Sequence, residues 1–176
     1  GQSQDCLFSG FRFETTFHHD LTVEGGANGN VFERGSGIAL NLDHHANAPY
    51  ENLFTEIDVG DPRRLWLSGG GGLRGPNSAA RSTIWNLRYP EGQPFRCPMP
   101  DEGLNYWTFY YMQPFRPPPL PAWPQLNVVG LKGCPTNAAG EAQVWIEPCA
   151  GGVEPANLYR AQLARRLKGR GDAPCP

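Results

Sequence analysis

Charged residues and long apolar runs are both scarce in this chain of 176 residues. Charged residues make up 18% of it, whereas an average globular domain has roughly 25%. No apolar run approaches the ~20 residues that a membrane-spanning helix needs. The net charge is only −2, so nothing draws the chain generically to nucleic acid or to an anionic membrane. We therefore expect neither nucleic acid nor a membrane among its partners.

The chain also lacks a CxxC pair, which disfavours a zinc ribbon, and it lacks an N-x-[ST] glycosylation sequon. Its five cysteines are Cys6, Cys97, Cys134, Cys149 and Cys175. Two of them, Cys134 and Cys149, are 15 residues apart and flank one segment bounded by Gly and Pro. We predict a disulfide between these two, and it would indicate an oxidising compartment. The alternative is a set of reduced, unpaired thiols.

Neither an initiator Met nor a signal peptide stands at Gly1, so we expect a mature form or a piece of something longer. Glycine and proline, in contrast, are abundant, with 22 and 18 residues. This composition favours many short strands joined by turns over a helical bundle.

Four segments alternate apolar and polar residues and then stop at glycine, as half-buried strands do. They are HDLTVEGG (19–26), NLFTEIDVG (52–60), TIWNLRYPEG (83–92) and LNVVGLKG (126–133). If Val23, Ile57, Leu87 and Val129 are equivalent, they are 34, 30 and 42 residues apart. Such spacing predicts solenoid coils with insertions over residues 1–90. The alternative is an ordinary antiparallel β-sandwich, whose strands also end in turns.

Beyond residue 90 the composition of the sequence changes twice. Residues 91–125 are dense in proline and aromatics, and we expect an excursion packed on the scaffold. Its RPPPLP stretch (116–121) leaves open a ligand for a proline-binding domain. Residues 126–153 should hold a last strand region and the disulfide loop. The sequence pattern of residues 154–170 predicts an amphipathic helix with Pro155 in its first turn, and we expect this helix to cover one end of the solenoid.

The stretches HHDLTVEGGANGNVF and SGIALNLDHHANAPYENLFTEIDVG resemble the late coils of secreted right-handed parallel β-helix proteins, the pectin-lyase-like proteins. PANLYRAQLARRL is similar to the tail helix that such proteins carry. The resemblance covers roughly residues 8–90 and 155–168. It implies an all-β parallel β-helix that is extracellular and interacts with carbohydrate. Relatives of this kind include polysaccharide lyases, glycoside hydrolases, phage tailspikes and adhesins, so the fold alone does not determine the function.

Counting in twos along each segment assigns side chains to faces, because they alternate across a strand. The predicted core column is Leu21, Val23, Ile38, Leu40, Leu42, Leu53, Ile57, Val59, Leu87 and Val129. Both His19 and His44 also count inward, as satisfied core histidines. The outer rows should form a strip of acids and imidazoles. We take Asp43, His45, His18 and Asp20 as candidate catalytic residues, and Glu24, Glu56, Asp58, Trp66 and Arg88 as candidate binding residues.

Such a strip has the chemistry for proton transfer on a sugar ring, since crowded carboxylates raise one another's pKa values. It could also bind Ca²⁺. We expect no transition-metal ligands, because HxH and HxxxH spacings are absent, and no GxSxG nucleophile elbow occurs. The simpler interpretation is that these residues are polar because exposed strand faces meet water. The tryptophans are then stacking platforms or core fillers.

The sequence is compatible with three functions. The chain is a polysaccharide lyase or glycoside hydrolase, or a non-catalytic carbohydrate-binding or structural module of a cell wall, extracellular matrix or surface appendage. The third is an assembly component whose N-terminal coil packs on upstream coils or on another protein chain.

Overall fold

The computed structural model describes residues 3–45, 47–67, 79–93, 125–132, 144–149 and 152–169. This part of the chain is mostly β, with ten strands, one 3-10 helix and one α-helix. The strands are β1 (Leu7–Ser9), β2 (Arg12–Phe13), β3 (Leu21–Val23), β4 (Val31–Glu33), β5 (Ser36–Gly37), β6 (Leu42–His44), β7 (Leu53–Asp58), β8 (Thr83–Arg88), β9 (Leu126–Val129) and β10 (Val144–Glu147). The 3-10 helix spans Pro62–Arg64, and α1 spans Leu158–Lys168. Nearly all of the proline-rich excursion predicted over 91–125 lies outside the described residues.

Every pairing between these ten strands is parallel. Among the described residues the large sheet has eight strands, six of them in the order β1-β4-β7-β8-β9-β10, while β5 pairs with β7 and β2 pairs with β5. A second, two-stranded sheet consists of β3 and β6. Parallel neighbours therefore replace the antiparallel hairpins that a β-sandwich would require.

The predicted equivalence of four strand residues is only partly right. The pair Ile57 and Leu87 lie opposite each other in β7 and β8, as expected. In contrast, Val129 pairs with Trp85, two positions away from the prediction. The prediction for Val23 is wrong, because it belongs to the two-stranded sheet and pairs with His44. The first segment resembles the others in pattern because all half-buried strands alternate, whichever sheet they join.

A column of left-handed residues bends successive strands at the same place. The strand register aligns Gly10, Arg34, Glu56, Asn86 and Gly130, whose φ values are 70°, 50°, 55°, 56° and 82°. A left-handed residue inside a strand breaks the two-residue alternation of its side chains. The core therefore receives both Phe54 and Ile57, three residues apart, and counting in twos fails across this bend.

The core lies between the sheets and contains stacked layers of like side chains. Parallel rings of Phe8, Phe32 and Phe54 stack with centroids 4.9 and 4.7 Å apart. A buried polar ladder runs beside them. In it the Nδ2 of Asn30 donates to the Oδ1 of Asn52 at 2.9 Å, and the backbone N of Asn52 donates to the Ser82 Oγ at 3.1 Å. The ladder satisfies buried polar groups at one corner of successive strands.

Most of the predicted core is confirmed. The buried members are Leu21, Val23, Leu40, Leu42, Ile57, Val59 and Leu87. Two others, Leu53 and Val129, are half-buried. The prediction for Ile38 is wrong, because its side chain is 57% exposed. It follows the short strand β5 at a corner, where its carbonyl oxygen accepts a hydrogen bond from the backbone N of Asp61, so strand alternation does not apply to it.

The C-terminal helix lies on the outer face of the large sheet and not over an end of it. The backbone N of Leu158 donates to the Thr55 Oγ1 at 3.1 Å, and the Trp85 Nε1 donates to the Pro155 carbonyl at 2.7 Å. Helix α1 begins later than predicted because the Asn157 side chain caps it, accepting from the Arg160 backbone N. No helix among the described residues is long and apolar enough to cross a membrane.

Candidate functional site

The two-stranded sheet brings the ends of two distant segments together. Parallel pairing of β3 and β6 places Thr22 opposite Asp43 and Val23 opposite His44. The backbone N of His45 donates to the Val23 carbonyl at 2.9 Å, which holds the end of β6 against the end of β3. As a result, residues 19–24 and 43–45 share one outer surface.

Three side chains converge on that surface and form the cluster of His19, Asp43 and His45. The Nδ1 atoms of His19 and His45 lie 2.7 and 3.1 Å from the same carboxylate oxygen, Oδ2 of Asp43. The Thr22 Oγ1 donates to that oxygen at 3.2 Å. The two imidazole rings meet edge to face, with centroids 5.0 Å apart. One carboxylate oxygen therefore orients both imidazoles.

The three side chains of this cluster differ in solvent exposure. The Asp43 side chain is fully buried, that of His45 is 12% exposed, and that of His19 is 38% exposed. The sequence placed Asp43 in an outer row and so predicted at least partial exposure, which is wrong: Asp43 sits on the outer side of its strand, but neighbouring side chains cover it. Solvent reaches the cluster from the His19 side.

A clamp of hydrogen bonds holds the segment that carries His19. The backbone N of Asp20 donates to the Asn41 Oδ1 at 2.8 Å, and the Asn41 backbone N donates to the Asp20 Oδ2 at 2.9 Å. The Arg64 NH1 also reaches Asp20 Oδ2 at 3.3 Å, and the Asp20 side chain is fully buried. Through these hydrogen bonds the buried Asp20 carboxylate holds the backbone next to His19 against Asn41.

Two further candidates border the cluster. The exposed His18 ring lies edge to face against His19, with centroids 5.0 Å apart. The Glu24 Oε2 lies 3.9 Å from the His45 Nε2, on the side of that ring opposite Asp43. Glu24 therefore adds negative charge next to His45.

His44 points the other way, as predicted. It is fully buried, its ring packs edge to face on Phe54 with centroids 5.4 Å apart, and its Nδ1 lies 3.0 Å from the Leu42 carbonyl oxygen. Burial lowers the pKa of His44 from 6.5 to about 4, against the opposing effects of that carbonyl and of the Asp43 charge. His44 is therefore a neutral core residue near pH 7.

Trp66 follows the 3-10 helix, and the other three remaining predicted binding residues, Glu56, Asp58 and Arg88, belong to the large sheet. There, Arg88 forms a forked ion pair with Asp58, with Nε–Oδ1 and NH2–Oδ2 distances of 2.7 and 3.1 Å, and the hydrogen bonds to Asp58 raise the pKa of Arg88. Next to them, Glu56 accepts a hydrogen bond from Asn157 at 2.9 Å. The buried Trp66 is a core filler and not an exposed stacking platform. The structure does not bring these residues into the cluster of His19, Asp43 and His45.

Sequence reasoning missed two features. It placed His19 in the core, because the alternation was extended past the start of β3 at Leu21; the HHD stretch before that strand was the available signal. It also missed Glu33, a buried carboxylate that accepts hydrogen bonds from Ser9, Asn157 and Arg160. Burial raises the pKa of Glu33, and the three hydrogen-bond donors outweigh that effect and hold it below the usual value.

The structure does not show the predicted disulfide. Cys149 is a free thiol, with its Sγ 3.9 Å from the Glu147 carbonyl oxygen. The proposed partner, Cys134, lies outside the described residues, as do Cys97 and Cys175. Cys6 is an exposed free thiol.

Comparison with known proteins identifies a family but no activity. No curated protein and no solved structure matches the chain. A family model described as a domain of unknown function (DUF4955) matches residues 16–172, a span that includes the cluster of His19, Asp43 and His45 and most of the described strands. The chain therefore belongs to the DUF4955 family.

Proposed function

We propose that this chain is an extracellular, carbohydrate-interacting module with the right-handed parallel β-helix fold of the pectin-lyase-like proteins, and that it cleaves a polysaccharide. Paired residues of successive strands in the large sheet are 18 to 44 residues apart, close to the length of solenoid repeats. Connections between parallel neighbours in one sheet are right-handed in roughly 98% of cases. The column of left-handed residues and the Asn30–Asn52–Ser82 ladder also recur from one strand to the next, as stacked coils require.

The observation that carries the catalytic part is the shared carboxylate oxygen of Asp43. A buried carboxylate that accepts from the Nδ1–H of an imidazole fixes its orientation and makes Nε2 the ring atom that can accept a proton. In this cluster His19 presents its ring to solvent, so its Nε2 is the candidate base. The more enclosed His45, held by the same oxygen, is the candidate acid.

Two reactions on a polysaccharide use such a pair. In β-elimination the base removes a proton from a ring carbon, the glycosidic C–O bond breaks, and the acid protonates the leaving oxygen, which leaves an unsaturated sugar. In hydrolysis the base takes a proton from water, the water oxygen bonds to the sugar carbon as the glycosidic C–O bond breaks, and the acid again protonates the leaving oxygen. The products therefore distinguish a lyase from a glycoside hydrolase.

The test is incubation of the whole chain with a panel of acidic and neutral polysaccharides, following both unsaturated products and new reducing ends. We expect one of these signals for at least one polysaccharide, and its loss in Asp43→Asn. Glu51→Gln, which alters an exposed carboxylate paired with Arg81, should retain the wild-type rate. No product from any polysaccharide, or equal rates for wild type and Asp43→Asn, would overturn the catalytic proposal.

A second candidate, a non-catalytic assembly component, is favoured by the first strand of the large sheet. Within the described part of the chain, β1 pairs only with β4, and its residues Leu7 and Phe8 are 44% and 45% exposed. Exposed strand edges with apolar side chains are surfaces on which other strands add. Upstream coils or another protein chain would extend the stack there. Sedimentation of wild type and Phe8→Ser tests this, since only the wild type should self-associate or bind a partner coil.

A further inference from the structure

We infer that His19, Asp43 and His45 bind one divalent transition-metal ion of the Zn²⁺ class and that this ion blocks the proposed proton transfer. One donor atom from each residue, two imidazole nitrogens and one carboxylate oxygen, lie within 4.8 Å of one another. Two histidines and one carboxylate leave further coordination positions open to water. The inference deepens the proposed function, on which it rests for identifying this cluster as the reactive centre.

The donor types select the class of ion. Imidazole nitrogen suits Zn²⁺, Co²⁺, Ni²⁺, Cu²⁺ and Fe²⁺, whereas Ca²⁺ and Mg²⁺ take oxygen ligands almost exclusively. Nitrogen supplies two of the three donors in this cluster, so Ca²⁺, the ion that the sequence left possible, is a poor fit. Two neutral imidazoles and the Asp43 carboxylate carry a net charge of −1, which a divalent cation more than neutralises.

The spacing of the donors also fits. The Nδ1 atoms of His19 and His45 are 2.7 and 3.1 Å from the Asp43 Oδ2. Ligands bound to Zn²⁺ at roughly 2.0–2.2 Å in a tetrahedron sit about 3.3–3.6 Å apart. Small rotations of the exposed His19 ring would open its distance to Asp43 by that margin.

The donors are held in place before any ion arrives. The backbone of His45 is fastened to Val23, and the Asp20–Asn41 clamp fixes the residue next to His19. Thr22 holds the Asp43 oxygen. Rigid donors lose little conformational freedom on binding, which raises affinity.

Glu24 gives an independent reason to assign Nδ1 of His45 as the ligand. A histidine that binds a metal usually donates its other ring N–H to a carboxylate. The Glu24 Oε2 lies 3.9 Å from the Nε2 of His45, and the Glu24 side chain is 37% exposed and has room to close that gap. The same arrangement leaves the open coordination positions on the His19 side.

Occupation by a cation would switch off the base. An imidazole that holds a metal through Nδ1 keeps its proton on Nε2, so the His19 Nε2 no longer has a lone pair for a substrate proton. The Asp43 carboxylate would coordinate the cation and would no longer accept the hydrogen bonds that orient the rings. Polysaccharide assays should therefore differ sharply between protein treated with a chelator and protein supplied with Zn²⁺.

The test is titration of the chelator-treated whole chain with Co²⁺, followed by visible absorption, and with Zn²⁺, followed by calorimetry. We expect one ion per chain. In His19→Ala and His45→Ala the Kd should rise by more than the roughly 10- to 100-fold typical of losing a residue that only orients a ligand. Glu24→Gln should show a loss within that range. Glu51→Gln, which alters an exposed carboxylate paired with Arg81 outside the cluster, should bind as the wild type does, and circular dichroism of each variant checks that it is folded.

Two results would overturn the inference: the absence of saturable binding in the folded wild type, or equal affinities for wild type, His19→Ala and His45→Ala. Binding is read without any polysaccharide, so its failure leaves the cleavage proposal standing. Polysaccharide cleavage that persists when the site is saturated with Zn²⁺ would contradict the blocking role alone. Saturable binding together with no cleavage by the chelator-treated chain would instead refute the proposed enzyme and keep the site.

Discussion

Arg160 in the first turn of α1 donates one bifurcated hydrogen bond from its Nε–H to both oxygens of the buried Glu33 carboxylate, 127 residues earlier in the chain, at 2.9 and 3.0 Å. Its NH2 forms an ion pair with the same group. The Asn157 Nδ2 bridges Glu33 and Glu56, at 2.9 Å from each. The C-terminal segment is thus fastened to β4 and β7 by polar contacts, whereas the α1 residues themselves are not buried.

The first prediction concerns this attachment. Replacing the buried carboxylate in Glu33→Ala leaves Asn157, Ser9 and Arg160 without their acceptor, and the unfolding free energy should fall by about 1–3 kcal/mol. Denaturant unfolding measures it, and amide exchange in residues 158–162 should quicken. Glu14→Ala is the control, because Glu14 and its partner Arg12 are 77% and 75% exposed, and its effect should stay within about 0.5 kcal/mol. Equal effects of both substitutions would contradict this role of Glu33.

The second prediction uses the buried histidine of β6. The pKa of His44 is about 4 in the folded chain and 6.5 in the unfolded chain. As the pH falls through this window, the unfolded chain takes up a proton that the folded chain does not, so stability declines, by about 3 kcal/mol at most. His44→Gln should remove this part of the pH dependence when unfolding is measured in chelator from pH 7 to about 4. Curves for wild type and variant that stay parallel would contradict the prediction.

The third prediction compares two rings of one aromatic stack. Phe54 is fully buried in the central strand β7, so Phe54→Ala should cost about 3–5 kcal/mol through lost burial and a cavity. Phe8 ends the stack and is 45% exposed, so Phe8→Ala should cost clearly less. Chemical unfolding of the two variants gives the comparison. Similar costs would mean that another layer covers Phe8 in solution, as the assembly candidate requires.

The fourth prediction concerns a left-handed residue at a strand start. Gln125 has a φ of 60° and is exposed, and a non-glycine residue pays roughly 1–2 kcal/mol there. Gln125→Gly should raise stability by up to about 1 kcal/mol because it removes this penalty, although the greater entropy of glycine in the unfolded chain offsets part of the gain. Gln125→Val should lower it, because a branched side chain tolerates this conformation poorly. Thermal melts compare the two variants. A higher melting temperature for Gln125→Val than for Gln125→Gly would contradict the left-handed conformation of residue 125.

Local pattern predicted those parts of the fold that depend on neighbouring residues. Alternation identified Leu21, Leu42 and Ile57 as core, and it placed Ile57 opposite Leu87 across the large sheet. Alternation assigned side chains to the wrong face at two places. At Glu56 the left-handed backbone interrupts the two-residue period, and Ile38 lies outside any strand.

The candidate site was half visible in the sequence. The pair Asp43 and His45 was found because both lie close together on one strand end. The contribution of His19 was missed, because it depends on the register between β3 and β6, which one strand's pattern does not contain. The contact between Glu33 and Arg160 spans 127 residues and has no local signature at all.

The most direct test of the central claim, that His19 and Asp43 work together in a reactive centre, is a double-mutant cycle on kcat/KM for the polysaccharide found by the panel. Rates would be measured in chelator for wild type, His19→Ala, Asp43→Asn and the double variant. Residues that act as a unit are not additive, so the double variant should be little slower than the worse single variant. Losses that multiply, or wild-type rates in either single variant, would contradict the account.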